Sequence, residues 1–196
     1  MIDGEKRILI IDNGSSRTGK IIDIFKNRFS KVDVIKSFDY KYDVQNYDLS
    51  ILTGGPAMPD SSCLKEFSEE VKLIMNSEKP VVGICFGFQL IAKAYNSELV
   101  ENEQRIVGEF PIRILLKDNI FDGIKEQAVF HETHLWVVNK VGDELVALAN
   151  SYTGFEAVRH KTKPIYGFQF HPEVNIGNGL GDRLFENIFK LISYNN

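Results

Sequence analysis

The chain is poor in cysteine, histidine and proline, with two, four and six of them among 196 residues. Two cysteines, Cys63 and Cys85, make neither a disulfide framework nor a CxxC knuckle, which excludes a cystine-stapled scaffold and a cysteine zinc site and fits a reducing compartment. No apolar run approaches the roughly 20 residues needed to span a bilayer. The opening MIDGEKRILIIDNG lacks the order of a signal peptide, so a cytoplasmic protein without membrane contact is expected. Positive charge is scarce too: 23 Lys and Arg against 27 Asp and Glu leave a net −4 with no basic cluster, which argues against nucleic acid as a partner. What is present, 43% apolar and 26% charged residues, is the composition of a soluble globular protein. With no repeat or Pro/Gly-rich linker, a single domain over residues 1–196 is expected.

Hydrophobic periodicity divides the chain into two textures. RILIID (7–12) is an apolar run, and RTGKIIDIFKNRF (17–29) has amphipathic helical spacing. KVDVIKS alternates like a strand, YDLSILTGGP (47–56) is a buried strand ending in glycines, and SCLKEFSEEVKLIMNS (62–77) reads as one helix. KPVVGI (79–84) and FGFQLIAKAY add a further strand and helix. This alternation predicts an α/β fold with a mostly parallel central sheet flanked by helices. Beyond residue 97, IVGEFPIRILL, AVFHETHLWVVNK, ELVALANS, GFEAVRHK and PIYGFQF form a β-rich half, expected to extend the same domain. GDRLFENIFKLISY is read as a closing helix, Cys63 is placed on a helix face and His160 on an exposed strand.

Chemistry concentrates at three places. PVVGICFGFQLIAKAY (80–95) puts Cys85 on a strand-to-helix turn between Gly83 and Gly87. Such a turn lifts a nucleophile clear of the backbone, and the helix N-terminus beside it favours a thiolate. A buried cysteine packed as a small hydrophobe is the alternative reading. YGFQFHPEV (166–174) adds His171, Pro172 and Glu173 at a strand end: imidazole and carboxylate are what a cysteine nucleophile requires as base and orienting group. LTGGPAMPD (52–60) supplies Gly54 and Gly55, whose N–H groups can face a developing oxyanion. His131 and His134 are too poorly framed by acidic residues to read as a metal pair.

In this order the three segments resemble the class I glutamine amidotransferases. The GxCxGxQ nucleophile motif is matched by Gly83, Cys85, Gly87 and Gln89, the His-Pro-Glu element by His171, Pro172 and Glu173, and the glycine loop by Gly54, Gly55 and Pro56. The resemblance implies L-glutamine as substrate, Cys85, His171 and Glu173 as a catalytic triad, and a γ-glutamyl thioester. It also implies an oxyanion hole from the N–H groups of Gly55 and Phe86. Gly54, Gly87, Gln89 and the segment Thr133, His134, Leu135, Trp136 are implied in holding the substrate; no metal or other cofactor is implied. The chain has no room for a synthetase, so ammonia is expected to pass to a separate ammonia-using synthetase subunit. The chain looks most like the free-standing glutaminase subunits of two-chain GMP synthetases, but where that group carries Ser-His-Gly-Asp it reads Thr133-His134-Leu135-Trp136. An anthranilate or aminodeoxychorismate type and a stand-alone γ-glutamyl hydrolase therefore stay open. From other classes, GSSRTGKI (14–21) resembles an incomplete phosphate-binding loop, and a non-catalytic regulator is the third possibility.

Overall fold

The computed structural model describes residues 3–37, 46–60, 62–177 and 179–193. Apolar β-branched runs form the strands β1 (Asp3–Asp12), β2 (Phe29–Lys36), β3 (Leu49–Leu52) and β4 (Val81–Ile84), interleaved with α1 (Thr18–Lys26), α2 (Cys63–Glu66), α3 (Ser68–Asn76) and α4 (Phe86–Ala94). Then come β5 (Glu98–Ile114), β6 (Gln127–Lys140), β7 (Leu145–Asn150), β8 (Phe155–His160), β9 (Ile165–Phe168) and α5 (Leu180–Ser193).

All these strands join one sheet in the order β2-β1-β3-β4-β9-β8-β6-β5-β7. The first five run parallel and the rest pair antiparallel. Because β7 also pairs with β8, the strands β8, β6, β5 and β7 close on themselves like a small barrel. The fold is mixed α/β, and the expectation of a mostly parallel sheet needs correction. Parallel neighbours require long crossovers. Among the described residues α4 and α5 have no α-helix between them, so the intervening strands turn straight back on one another.

Alternation along β1 sends side chains to two cores. Ile8 and Ile10 pack with Ile21 and Phe25 of α1 and Phe185 and Ile188 of α5; Leu9 and Ile11 face Leu73 and Ile74 of α3 and Leu90 and Ile91 of α4. Aromatic edges lock the first face, with the Phe25 and Phe189 ring centroids 5.3 Å apart at 80°.

Three local readings change. The helix expected over 17–29 ends at Lys26, since the aromatic Phe29 buries itself as the first residue of β2. The helix expected over 62–77 breaks at Phe67 (φ −99°, ψ 33°), whose ring turns inward against Phe86 at 4.8 Å. His160 is buried rather than exposed: its ring lies 4.7 Å from that of Tyr95, and its Nδ1 accepts from the N–H groups of Thr162 and Lys163. Cys63 is fully buried at the start of α2. Tyr194, the last residue of the helix expected at the end, lies outside the described residues.

Candidate active site

Strand β4 ends at Ile84, and the next residue, Cys85, has φ 53° and ψ −104° before α4 begins at Phe86. A non-glycine residue there carries strain of order 1–3 kcal/mol, which the surroundings must hold in place. They do so with hydrogen bonds on either side of the turn: Cys85 N–H donates to Phe168 O at 2.7 Å and Gly87 N–H to Thr53 O at 3.2 Å. The Phe86 N–H lies between them at the head of the helix. Glycine is required around the turn because helix and strands nearly touch: a side chain at Gly83 would enter the carbonyl of Gly87, and one at Gly87 that of Leu52.

Strand β9 lies directly beside β4, with Gly83 opposite Gly167 and Ile84 opposite Phe168, so the segment leaving β9 arrives next to the elbow. His171 and Glu173 are both buried, and Glu173 Oε1 accepts from His171 Nδ1 at 2.6 Å. This bond fixes the ring orientation and leaves Nε2 for the thiol side. The position that a Cβ on Gly54 would occupy is 3.3 Å from His171 Cε1 and 3.4 Å from the Cys85 Cβ, so the glycine loop, imidazole and thiol line one cleft. The thiol donates a long bond to Thr133 O at 3.7 Å, and His171 Nε2 is buried without a hydrogen-bond partner. Burial disfavours the imidazolium, but interaction with the Cys85 sulfur and then with Glu173 outweighs it and raises His171 well above its ordinary range.

The glycine loop has its own support. Asn13 N–H donates to Thr53 Oγ1 at 2.9 Å, and Asn13 Nδ2 donates to Thr53 O at 3.1 Å and to Glu70 Oε2 at 3.3 Å. A Cβ on Gly55 would run into the Asn13 carbonyl, so the loop is pressed onto this bracket. Burial pushes the Glu70 carboxyl up to about 8, against the weaker downward pull of the Asn13 bond. Its unfolded pKa is near 4.5 and its folded pKa is higher, so its contribution to stability is fully present below about 4.5 and lost as pH rises through about 8. In urea titrations across that window, Glu70→Gln should flatten the pH dependence by up to about 1.4 kcal/mol per pH unit. An unchanged slope would mean that Glu70 is ionised in the fold.

The segment expected to hold substrate lines β6. Thr133 faces the cleft through its carbonyl, and its Oγ1 accepts from Arg17 at 3.2 Å. Arg17 also bonds His131 Nε2 at 3.1 Å, while the Glu109 carboxylate lies 3.4 Å from the other ring nitrogen. Gln89 donates to Trp136 O at 3.1 Å and to Gln169 Oε1 at 3.0 Å, which ties α4 to this strand. Leu135 and Trp136 are half-buried, whereas the His134 ring is buried and committed to Glu132 and Trp136 O. His131 and His134 thus engage different partners, as their odd spacing on a strand requires.

Sequence reasoning missed Arg17, Asn13 and Glu70, whose roles arise from contacts across 40 or more positions. It also read residues 14–21 as a possible phosphate loop. The Asp12 carboxylate occupies that turn, accepting from Gly14 N–H at 3.0 Å and from the Thr18 hydroxyl at 2.6 Å, and its charge would repel a phosphate.

Residues 9–191 match the family described as Glutamine amidotransferase class-I. The glutamine-hydrolyzing GMP synthase subunit of Methanothermobacter thermautotrophicus is 38% identical over 140 residues, 71% of this chain and 72% of that relative. The protein of the same description from Methanocaldococcus jannaschii is 29% identical over 194 residues, 95% of this chain and 98% of the relative. In structure the chain is similar to a candidate GMP synthase subunit from Thermoplasma acidophilum, with a TM-score of 0.86 and 24% identity, covering 96% of this chain and 94% of that one. A cysteine elbow beside a His–Glu pair, under a glycine loop on a matching sheet, accords with that family over nearly the whole sequence: the chain belongs to the class I glutamine amidotransferases.

Proposed function

We propose that the chain is the glutaminase subunit of a GMP synthase, hydrolysing L-glutamine and passing ammonia to a separate synthetase subunit. The observation that carries this reading is the strained elbow at Cys85 beside a His171 held at 2.6 Å by Glu173. The names of the relatives supply the synthesis it serves. The Cys85 sulfur attacks the side-chain amide carbon of glutamine while the oxyanion is met by the N–H groups of Gly55 and Phe86. His171, having taken the thiol proton, hands it to the amide nitrogen, the C–N bond breaks, and ammonia leaves a γ-glutamyl thioester. Water, deprotonated by His171, then releases glutamate and restores the thiol. Gly54 leaves space at the reacting centre, whereas Gly87, implied as a substrate contact, instead lets α4 pack against the Leu52 carbonyl; Gln89 with Trp136 O shapes the wall, and Thr133 to Trp136 border the amino-acid end. One catalytic domain comprises the chain. An intact Cys–His–Glu arrangement argues against a non-catalytic regulator. Among the described residues no helix is long and apolar enough to cross a membrane.

A glutamine-analogue diazo-ketone tests the reading through the two thiols. Burial pushes Cys63 up to about 11, so it should stay unmodified while Cys85 takes about one label per chain, read by peptide mass spectrometry. Labelling at Cys63, or none at Cys85 in the presence of the synthetase subunit, would overturn it.

A further inference from the structure

Strands β6 and β8 bring together three ionisable side chains that take no part in the proton transfers of glutamine hydrolysis. Glu132, His134 and Glu156 are 1%, 4% and 1% exposed. One oxygen of each carboxylate and a ring nitrogen of His134 lie within 4.8 Å of one another. Two buried acids beside a single imidazole are costly unless something cancels their charge.

The surrounding bonds indicate what fits. His134 Nδ1 lies 3.1 Å from Trp136 O, which only accepts, so the proton sits on Nδ1. His134 Nε2 then faces Glu132 Oε2 at 3.0 Å, toward the acids. Glu156 is oriented through its other oxygen: Oε1 accepts from Ser151 Oγ at 2.7 Å and from Thr153 Oγ1 at 3.4 Å. Glu156 Oε2 and Glu132 Oε1 are left buried with no hydrogen-bond partner. An imidazole that donates its far N–H to a backbone carbonyl, and a carboxylate oriented by hydroxyl donors on one oxygen, are the arrangements that aim ligands at a metal.

We propose that Glu132, His134 and Glu156 form a structural site for one divalent cation of the zinc or manganese class, bound through one imidazole nitrogen and carboxylate oxygens. The nitrogen and oxygen donor set suits these ions, and two carboxylates balance the charge of a divalent ion. The cation would act on the glutamine pocket indirectly. Trp136 O accepts from both His134 Nδ1 and Gln89 Nε2, so fixing the imidazole also fixes the wall beside the nucleophile helix. The competing arrangement is a proton retained by the acids: burial, with Glu132 adding to it, pushes Glu156 up to about 8.

The test is metal content and not activity. Full-length protein, unfolded with chelator and refolded with Zn²⁺ or Mn²⁺, is desalted and its metal measured by elemental mass spectrometry. About one equivalent per chain is expected to persist, since site formation and metal binding are coupled to folding. Glu156→Gln should weaken retention by at least about 100-fold, and Ser151→Ala, which leaves the ligands in place and is expected to fold, by about 10-fold. Wild-type protein that refolds without stoichiometric metal, or that retains metal no better than folded Ser151→Ala and Glu156→Gln, would assign the cluster to a shared proton and overturn the proposal.

Discussion

Cys85→Ala should remove glutamine-dependent synthesis from the assembled complex, by a factor on the order of 10⁴ to 10⁶, and leave synthesis from added ammonia unchanged. The size of the loss follows from the covalent mechanism: without sulfur there is no thioester, and His171 and the glycine loop act only on direct attack by water. The selectivity follows from the fold. Alanine keeps the elbow, because the N–H groups of residues 85 and 87 hold the turn through Phe168 O and Thr53 O whatever the side chain. The rest of the fold should therefore be untouched. Assays with glutamine and with ammonium salts at matched synthetase concentration separate the two activities. Loss of both would contradict the division of labour between subunits.

The second large effect is a ranking. His171→Ala should approach the loss seen for Cys85→Ala, whereas Glu173→Gln should cost about two orders of magnitude less. On the proposed mechanism His171 transfers protons in both half-reactions; Glu173, 2.6 Å from Nδ1 and buried, holds the ring and favours its charged form. A glutamine side chain at 173 can still accept from Nδ1–H through its amide oxygen but loses the charge. The imidazolium is then less stabilised, and the ring should titrate at lower pH than in the wild type, a shift that nuclear magnetic resonance of the labelled ring would report. If Glu173→Gln were the more damaging variant, the carboxylate would need a role beyond orientation.

How much of this was legible in the sequence depends on distance along the chain. The elbow, the glycine loop and the His-Pro-Glu turn are local patterns, and each was placed from a few consecutive residues. That β9 lies against β4 could not be read this way, since the pairing of Gly83 with Gly167 joins strands from the two differently textured halves. The antiparallel closure of β5 to β8 was missed for a related reason: alternation identifies strands but carries no sign of direction. Among the site residues, Glu70 has no local signal in the sequence, and only its bond to Asn13 and its burial set it apart. Glu132 and Glu156 were equally silent, because strand position alone does not indicate which charged side chain faces inward.

The neighbouring positions of β4 and β9 bear on when catalysis becomes available. The sulfur follows the fourth strand, but the imidazole follows the ninth, which must slot between β4 and β8 after the intervening strands have been made. A chain emerging from the ribosome thus makes the whole β-rich half between Cys85 and His171 before a base reaches the sulfur. Topology alone therefore orders the events: on the proposed mechanism, glutamine hydrolysis must wait until β9 has docked against β4.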